Sequence, residues 1–166
     1  DHADQVSEHA LVPLLNWIKT KSNEGDEETL RAAVECCLAL CQATSDDPRT
    51  RARASQNMSR LLEEKDALLT LLTLLSLSHG FYTRFGALQL LVLLVEHRRL
   101  EVQDYVLTAP GGSSSVLQCL EAAPSSSTEI IRNEALLLLP QLVRDNADIQ
   151  KIVAFEGAFE RLLDII

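Results

Sequence analysis

Apolar residues return along this chain at the three- and four-residue spacing that gathers them on one face of a helix. In the last third the segment is apolar on every side from Leu136 to Leu139, which predicts a helix packed between two layers. Thr128 is its expected N-cap, Glu129 and Glu134 favour its positive N-terminal half, and Asp145 with Asn146 ends it. Ile149, Ile152 and Val153 then share a face of a short second helix stopped by Gly157, and Phe159, Leu162, Leu163 and Ile166 are spaced for a third. None of these helices can hide its own apolar surface, so the unit requires neighbours on both sides.

The pattern recurs. Arg84, Ala87, Leu88, Leu90, Leu91 and Leu94 reappear 48 residues later as Arg132, Ala135, Leu136, Leu138, Leu139 and Leu142, and Arg31, Val34, Cys37, Leu38 and Cys41 form a weaker earlier copy. A second word, Met58, Leu61, Leu62, Ala67, Leu68, Leu71, Leu72 and Leu75, returns 91 residues on as Ile149, Ile152, Val153, Ala158, Phe159, Leu162, Leu163 and Ile166. Val102, Tyr105, Val106, Val116 and Leu120 are its middle copy, and Ala10, Leu11, Leu14, Leu15 and Ile18 echo its second half. A period of about 45 to 50 residues lies in or just beyond the armadillo and HEAT range. The expected fold is all-α, a right-handed α-solenoid of armadillo/HEAT-like three-helix repeats, about three and a half of them in one domain over residues 1–166. The absence of an initiator Met leads us to expect a fragment, cut within a repeat.

Punctuation follows the same plan. Loops are expected at Ser22 to Asp26 and Ser45 to Pro48, and the most flexible connections at Pro110 to Ser115 and Pro124 to Thr128, with a serine near 114 as a cap. Pro140 falls well inside its helix, where it removes the bond to the Leu136 carbonyl, so a kink is expected near Leu136–Pro140. Pro13 is expected in the first turn of its helix.

Composition narrows the function. Aromatics are 4% and leucine is abundant, which suits helix-on-helix packing. The net charge of −9 disfavours nucleic acid and anionic bilayers, and the one basic cluster, Arg49, Arg51 and Arg53, reads as a solvated helix start. Leu68–Leu77 and Leu88–Val95 are too short to span a membrane. Cys36, Cys37, Cys41 and Cys119 sit at apolar helical positions without a histidine at ligand spacing, so they read as buried free thiols and no metal or cofactor is expected. No glycine-rich phosphate cradle occurs, Ser78 and His79 lack a positioned third group, and Asp46, Asp47, Glu63 and Glu64 read as solvated carboxylates. The sequence therefore predicts no enzyme; a cleft joining a cysteine or serine to a histidine would argue for a hydrolase. Surface recognition remains. Phe81, Tyr82 and Phe85 cluster after Gly80, either closing the core or forming a hot spot, and Trp17 is equally ambiguous. Arg84 and Arg132, recurring at one position, suggest a structural ion pair or helix-start hydrogen bond. Phe81, Tyr82, Arg84 and Trp17 are the candidate partner-binding residues. Trp17, Asn57, Asn133 and Asn146 do not recur at one register, which disfavours the Trp and Asn ladder of nuclear import receptors.

One stretch also carries a resemblance. Ile131, Arg132, Asn133 and Glu134 before the leucine run, then Ile149 through Glu156, and Phe159 through Leu162, resemble the globular head of the Golgi vesicle-tethering factors, also called general vesicular transport factors. The match is dense over residues 129–166 and looser upstream. The resemblance implies an armadillo-like head joined to a dimeric coiled coil. It implies a non-enzymatic tether of ER-to-Golgi and intra-Golgi transport, cytoplasmic and peripheral on Golgi and vesicle membranes. Its implied partners are a Rab-type GTPase, a Golgi tethering complex and the SNARE machinery. The alternative is a generic armadillo/HEAT adaptor, such as a transport receptor or a regulatory subunit.

Overall fold

The chain builds helices wherever the apolar spacing recurs, and the described residues contain no strand. The computed structural model describes residues 2–22, 26–121 and 126–165, with backbone alone for 2–8 and 126. The elements are α1 (His2–Lys21), α2 (Glu27–Cys41), α3 (Pro48–Glu63), α4 (Ala67–Thr73), α5 (Phe81–Thr108), α6 (Gly112–Gln118), α7 (Ser126–Val143), α8 (Ala147–Phe155) and α9 (Ala158–Leu163). Helix starts are chemically explicit. Asp47 accepts from the Thr50 amide with Pro48 at the first helical position of α3, and Asn146 Oδ1 accepts from the amides of Asp148 and Ile149 at the start of α8. Gly157, at φ 81°, makes the left-handed turn between α8 and α9.

The long helices carry the packing. α5 lies most extensively against α7 and next against α2, and α4 sits against α5, α6 and α1. The faces between them hold Val34, Leu88, Leu90, Leu91, Leu94 and Leu138, each at most 1% exposed. Close approach of α5 to α2 depends on Gly86, where an added Cβ would lie 2.8 Å from Val34 Cγ1. Buried amides serve helix ends. Asn57 Nδ2 donates to the Leu40 carbonyl at 2.7 Å, and Gln103 Nε2 donates to the carbonyls of Leu142 and Arg144 at 2.8 Å each, satisfying orphan acceptors in or just after the last turns of α2 and α7.

Several expectations change. The backbone of α7 is helical through Pro140, and α1 likewise runs through Pro13, which stands mid-helix and not in the first turn. Both prolines lie on exposed faces, where water can serve the carbonyl each leaves unpaired. The backbone leaves helical geometry at Arg98 in α5, with φ −140° and ψ 69°. α5 is thus two helical arms meeting at a kink, and residues 102–106 lie on the second arm with no longer loop between them and Leu94. Arg98 is held there by Glu101 Oε2 at 3.3 Å and Ser59 Oγ at 3.1 Å.

Thr128 lies inside α7, which starts at Ser126. Serines 113 to 115 belong to α6 and not to a linker: Ser113 is buried, and a Cβ on Gly112 would collide with the Val106 carbonyl at 2.4 Å, so that turn is tightly packed. The run after Leu68 is helical only to Thr73, with Leu74 and Leu75 buried in the turn and Leu77 exposed. Cys36 is exposed, whereas Cys37, Cys41 and Cys119 are buried; burial pushes the Cys37 and Cys41 thiols up to about 12. Leu137 is 60% exposed, so α7 is covered on fewer sides than its sequence implies. The expected loop residues 23–25 and 122–125, and Ile166, lie outside the described residues.

Two substitutions test this packing. Gly86→Ala forces Val34 to move and is expected to cost about 1–3 kcal/mol, read as a Tm lower by roughly 2–4 °C per kcal/mol; an unchanged Tm contradicts the close approach. Leu138→Asp, placing a carboxylate at a position 1% exposed, is expected to cost more than about 3 kcal/mol. Melting within a degree of the unsubstituted protein would contradict its burial.

Candidate functional site

Two surface regions gather aromatic and arginine side chains. The first lies at the start of α5. Phe81 meets Tyr82 edge-on at 5.0 Å and stacks with Phe85 at 5.7 Å between ring centroids, and the Arg31 guanidinium stands 5.4 Å over the Tyr82 ring. Phe81 and Phe85 are half-buried against the core, and Tyr82 is 58% exposed. Arg84, one turn on, points inward: it is 8% exposed, and its Nε donates to the Leu75 carbonyl at 3.0 Å. Trp17 sits half-buried on α1, and no hydrogen bond or ring contact among the described residues joins it to the aromatic cluster. Below the cluster, Glu27 of α2 caps α5, its Oε1 accepting from the Gly80 amide at 2.7 Å and its Oε2 lying 3.6 Å from His79 Nδ1.

The second region opens at the α5 break. A cleft of about 620 Å³ is lined there by the guanidinium-bearing residues Arg98, Arg99 and Arg144, with Glu96, Glu101 and Leu100 beside them. Arg99 Nη2 donates to Asp145 Oδ2 at 3.3 Å, and Gln141 Nε2 donates to Glu96 Oε1 at 3.4 Å. Composition missed this region because its arginines come from the α5 bend and from the turn after α7, 45 residues on. The adjacent pair Arg98 and Arg99 is visible in the sequence, but its meeting with Arg144 is not.

A serine does meet a histidine: Ser59 Oγ lies 2.9 Å from His97 Nε2 and accepts from Arg98 Nη2 at 3.1 Å. Beside the Arg98 bond the hydroxyl keeps its proton and a second lone pair, so either tautomer of a neutral His97 ring satisfies this contact. Nothing in this arrangement activates the serine. No carboxylate among the described residues accepts from His97 Nδ1, and neither Ser59 nor His97 lines the cleft. The three groups tie α3 to the α5 break. Among the described residues no group of His, Cys, Asp or Glu could hold a metal ion, and no helix is long and apolar enough to cross a membrane.

No protein-family model matches the chain. Individual relatives do. It is 41% identical over 167 residues to human "General vesicular transport factor p115", covering 100% of this chain and 15% of that protein. It is 36% identical over 148 residues to "Golgin candidate 6" of Arabidopsis thaliana, covering 88% of this chain and 16% of that one. "Intracellular protein transport protein USO1" of Saccharomyces cerevisiae is 29% identical over 194 residues, covering 99% of this chain and 10% of its own length. The chain thus spans about a sixth or less of the relatives it matches.

The tie at the break titrates. Burial, reinforced by the Arg98 charge and opposed by Glu101, holds the His97 imidazole below its ordinary value of 6.5. Folding therefore favours the neutral ring. Its contribution is complete above the ordinary value and is lost as pH falls through the lowered one. His97→Gln offers Ser59 an acceptor that does not titrate, so between pH 7.5 and 5 the wild type is expected to lose more thermal stability than the variant. Equal losses would contradict the neutral assignment.

Proposed function

The chain belongs, over the stretch it shares with them, to the Golgi vesicle-tethering factors, and from that premise we propose that it is part of a tether's protein-binding head in ER-to-Golgi and intra-Golgi transport. The observation that carries this reading is identity of 36–41% to vesicle-transport relatives across most or all of the chain. The chemistry agrees with it. The described surface offers aromatic and arginine-rich recognition features, and its serine–histidine contact has no orienting acid.

The architecture proposed with it is a right-handed α-solenoid of armadillo/HEAT-like three-helix repeats, one head domain over residues 1–166. Two observations support it. α2, α5 and α7 pack in succession, as do α1, α4 and α6, and Arg31, Arg84 and Arg132 stand near the starts of the first three. Leu137, Phe155, Phe159 and Leu163 on α7, α8 and α9 are each at least 60% exposed, apolar side chains that the stacking of a further repeat would cover. In the whole protein, a coiled coil would make the dimer, and association with Golgi and vesicle membranes from the cytoplasm would be peripheral, through protein partners.

Those partners are a Rab-type GTPase, a Golgi tethering complex and, through it, the SNARE machinery. Preference for the GTP-bound switch conformation would make capture conditional on the state of the GTPase. Tyr82 is the exposed member of the aromatic cluster that such a partner would meet, with half-buried Phe81 behind it and Trp17 a separate contact; Arg84 serves by holding the α5 start. The test is a pull-down on an ER-to-Golgi Rab loaded with GDP or a GTP analogue, using the protein in the full length its gene encodes. Retention on the GTP form at least tenfold above the GDP form is expected; equal retention removes the mechanism.

A further inference from the structure

We propose that the cleft at the α5 break is a docking site for an acidic, leucine-bearing peptide segment of a partner protein. Charge is the first ground. In a chain of net charge −9, the three guanidiniums of Arg98, Arg99 and Arg144 converge on one opening. They are unequally engaged. Arg98 is committed to Glu101 and Ser59 at the bend. Arg99 spends one nitrogen on Asp145, whose side chain is 75% exposed, while its buried Nε has no partner. A surface pair of that kind contributes little and exchanges readily. Arg144 is exposed and makes no ion pair or side-chain hydrogen bond among the described residues. Arg144, and the Arg99 nitrogen that Asp145 releases on exchange, are thus the donors an incoming acid can reach.

Shape supplies the second ground. The cleft holds about 620 Å³, room for several side chains. Leu100 stands at its rim 74% exposed, beside the buried Val95, an apolar contact next to a pair of cations. That pairing suits a segment in which acids alternate with leucines. A carboxylate fits better than a phosphate, because Glu96 and Glu101 line the same opening and repel a dianion more strongly than a monoanion. The guanidinium fork also matches a carboxylate in the bidentate geometry that gives arginine its selectivity. The docking does not depend on the GTPase reading.

The probe is a fluorescein-labelled twelve-residue peptide alternating Glu or Asp with Leu, titrated with this protein in fluorescence anisotropy. Saturable binding is expected, weakened at least fivefold between 50 and 300 mM salt and absent for the same peptide with Gln and Asn in place of its acids. Arg144→Glu, at an exposed site, is expected to weaken binding tenfold or more, and Leu100→Ser threefold or more, with the circular dichroism unchanged. Arg49→Glu with Arg51→Glu on α3 is expected to leave it within twofold, which separates the cleft from general charge. No saturable binding, equal binding by Arg144→Glu, or loss in the α3 variant would overturn the site. A phosphoserine peptide without carboxylates that binds tenfold more tightly than the acidic one would overturn the carboxylate assignment.

Discussion

Burial of α5 between α2 and α7 is the constraint on which the rest of this molecule depends. A helix as apolar as the stretch from Ala87 to Val95 is stable in water only when covered on more than one side. α2 covers one side and approaches closely because position 86 has no side chain; α7 covers another through Leu138 and its neighbours. With that sandwich formed, α4 and α6 pack alongside, and the aromatic cluster at one end of the first arm of α5 is held at the surface.

The same helix links fold to recognition. Its first arm is core, and its second reaches α7 through Gln103, whose amide serves carbonyls at the end of α7. Between the arms the backbone leaves helical geometry at Arg98, and the cleft lies there. Ser59, His97 and Arg98 pin the bend to α3, so the arginines stand beside a supported bend and not on a free loop. Rigid placement of this kind lowers the entropy lost when a partner binds.

Helix type and order were legible in the sequence because burial writes a strong periodic signal. The Arg84 and Arg132 words lie in α5 and α7, and Gly157 makes the turn expected of it, whereas Asp47, read as a solvated carboxylate, and Asn146, read as the end of α7, cap α3 and α8. Breaks were less legible. Pro140 stands on a wet helix face where the helix continues through it, whereas His97, Arg98 and Arg99 contain no turn residue and bend through contacts with a distant helix. Single exposed leucines such as Leu137 and Leu100 look like core to a periodicity argument, since periodicity counts apolar residues without knowing which faces find neighbours. The aromatic cluster near Gly80 was visible as a local group; the arginine cleft was not, because tertiary packing alone brings α5 and the end of α7 together.

Hydrogen–deuterium exchange resolved along the chain tests the central sandwich most directly. If α5 is covered by α2 and α7, amides from Arg84 to Val95 exchange more slowly than all others and only through global unfolding, while those of α9 exchange early. Exchange of that segment as fast as α9 would contradict the account.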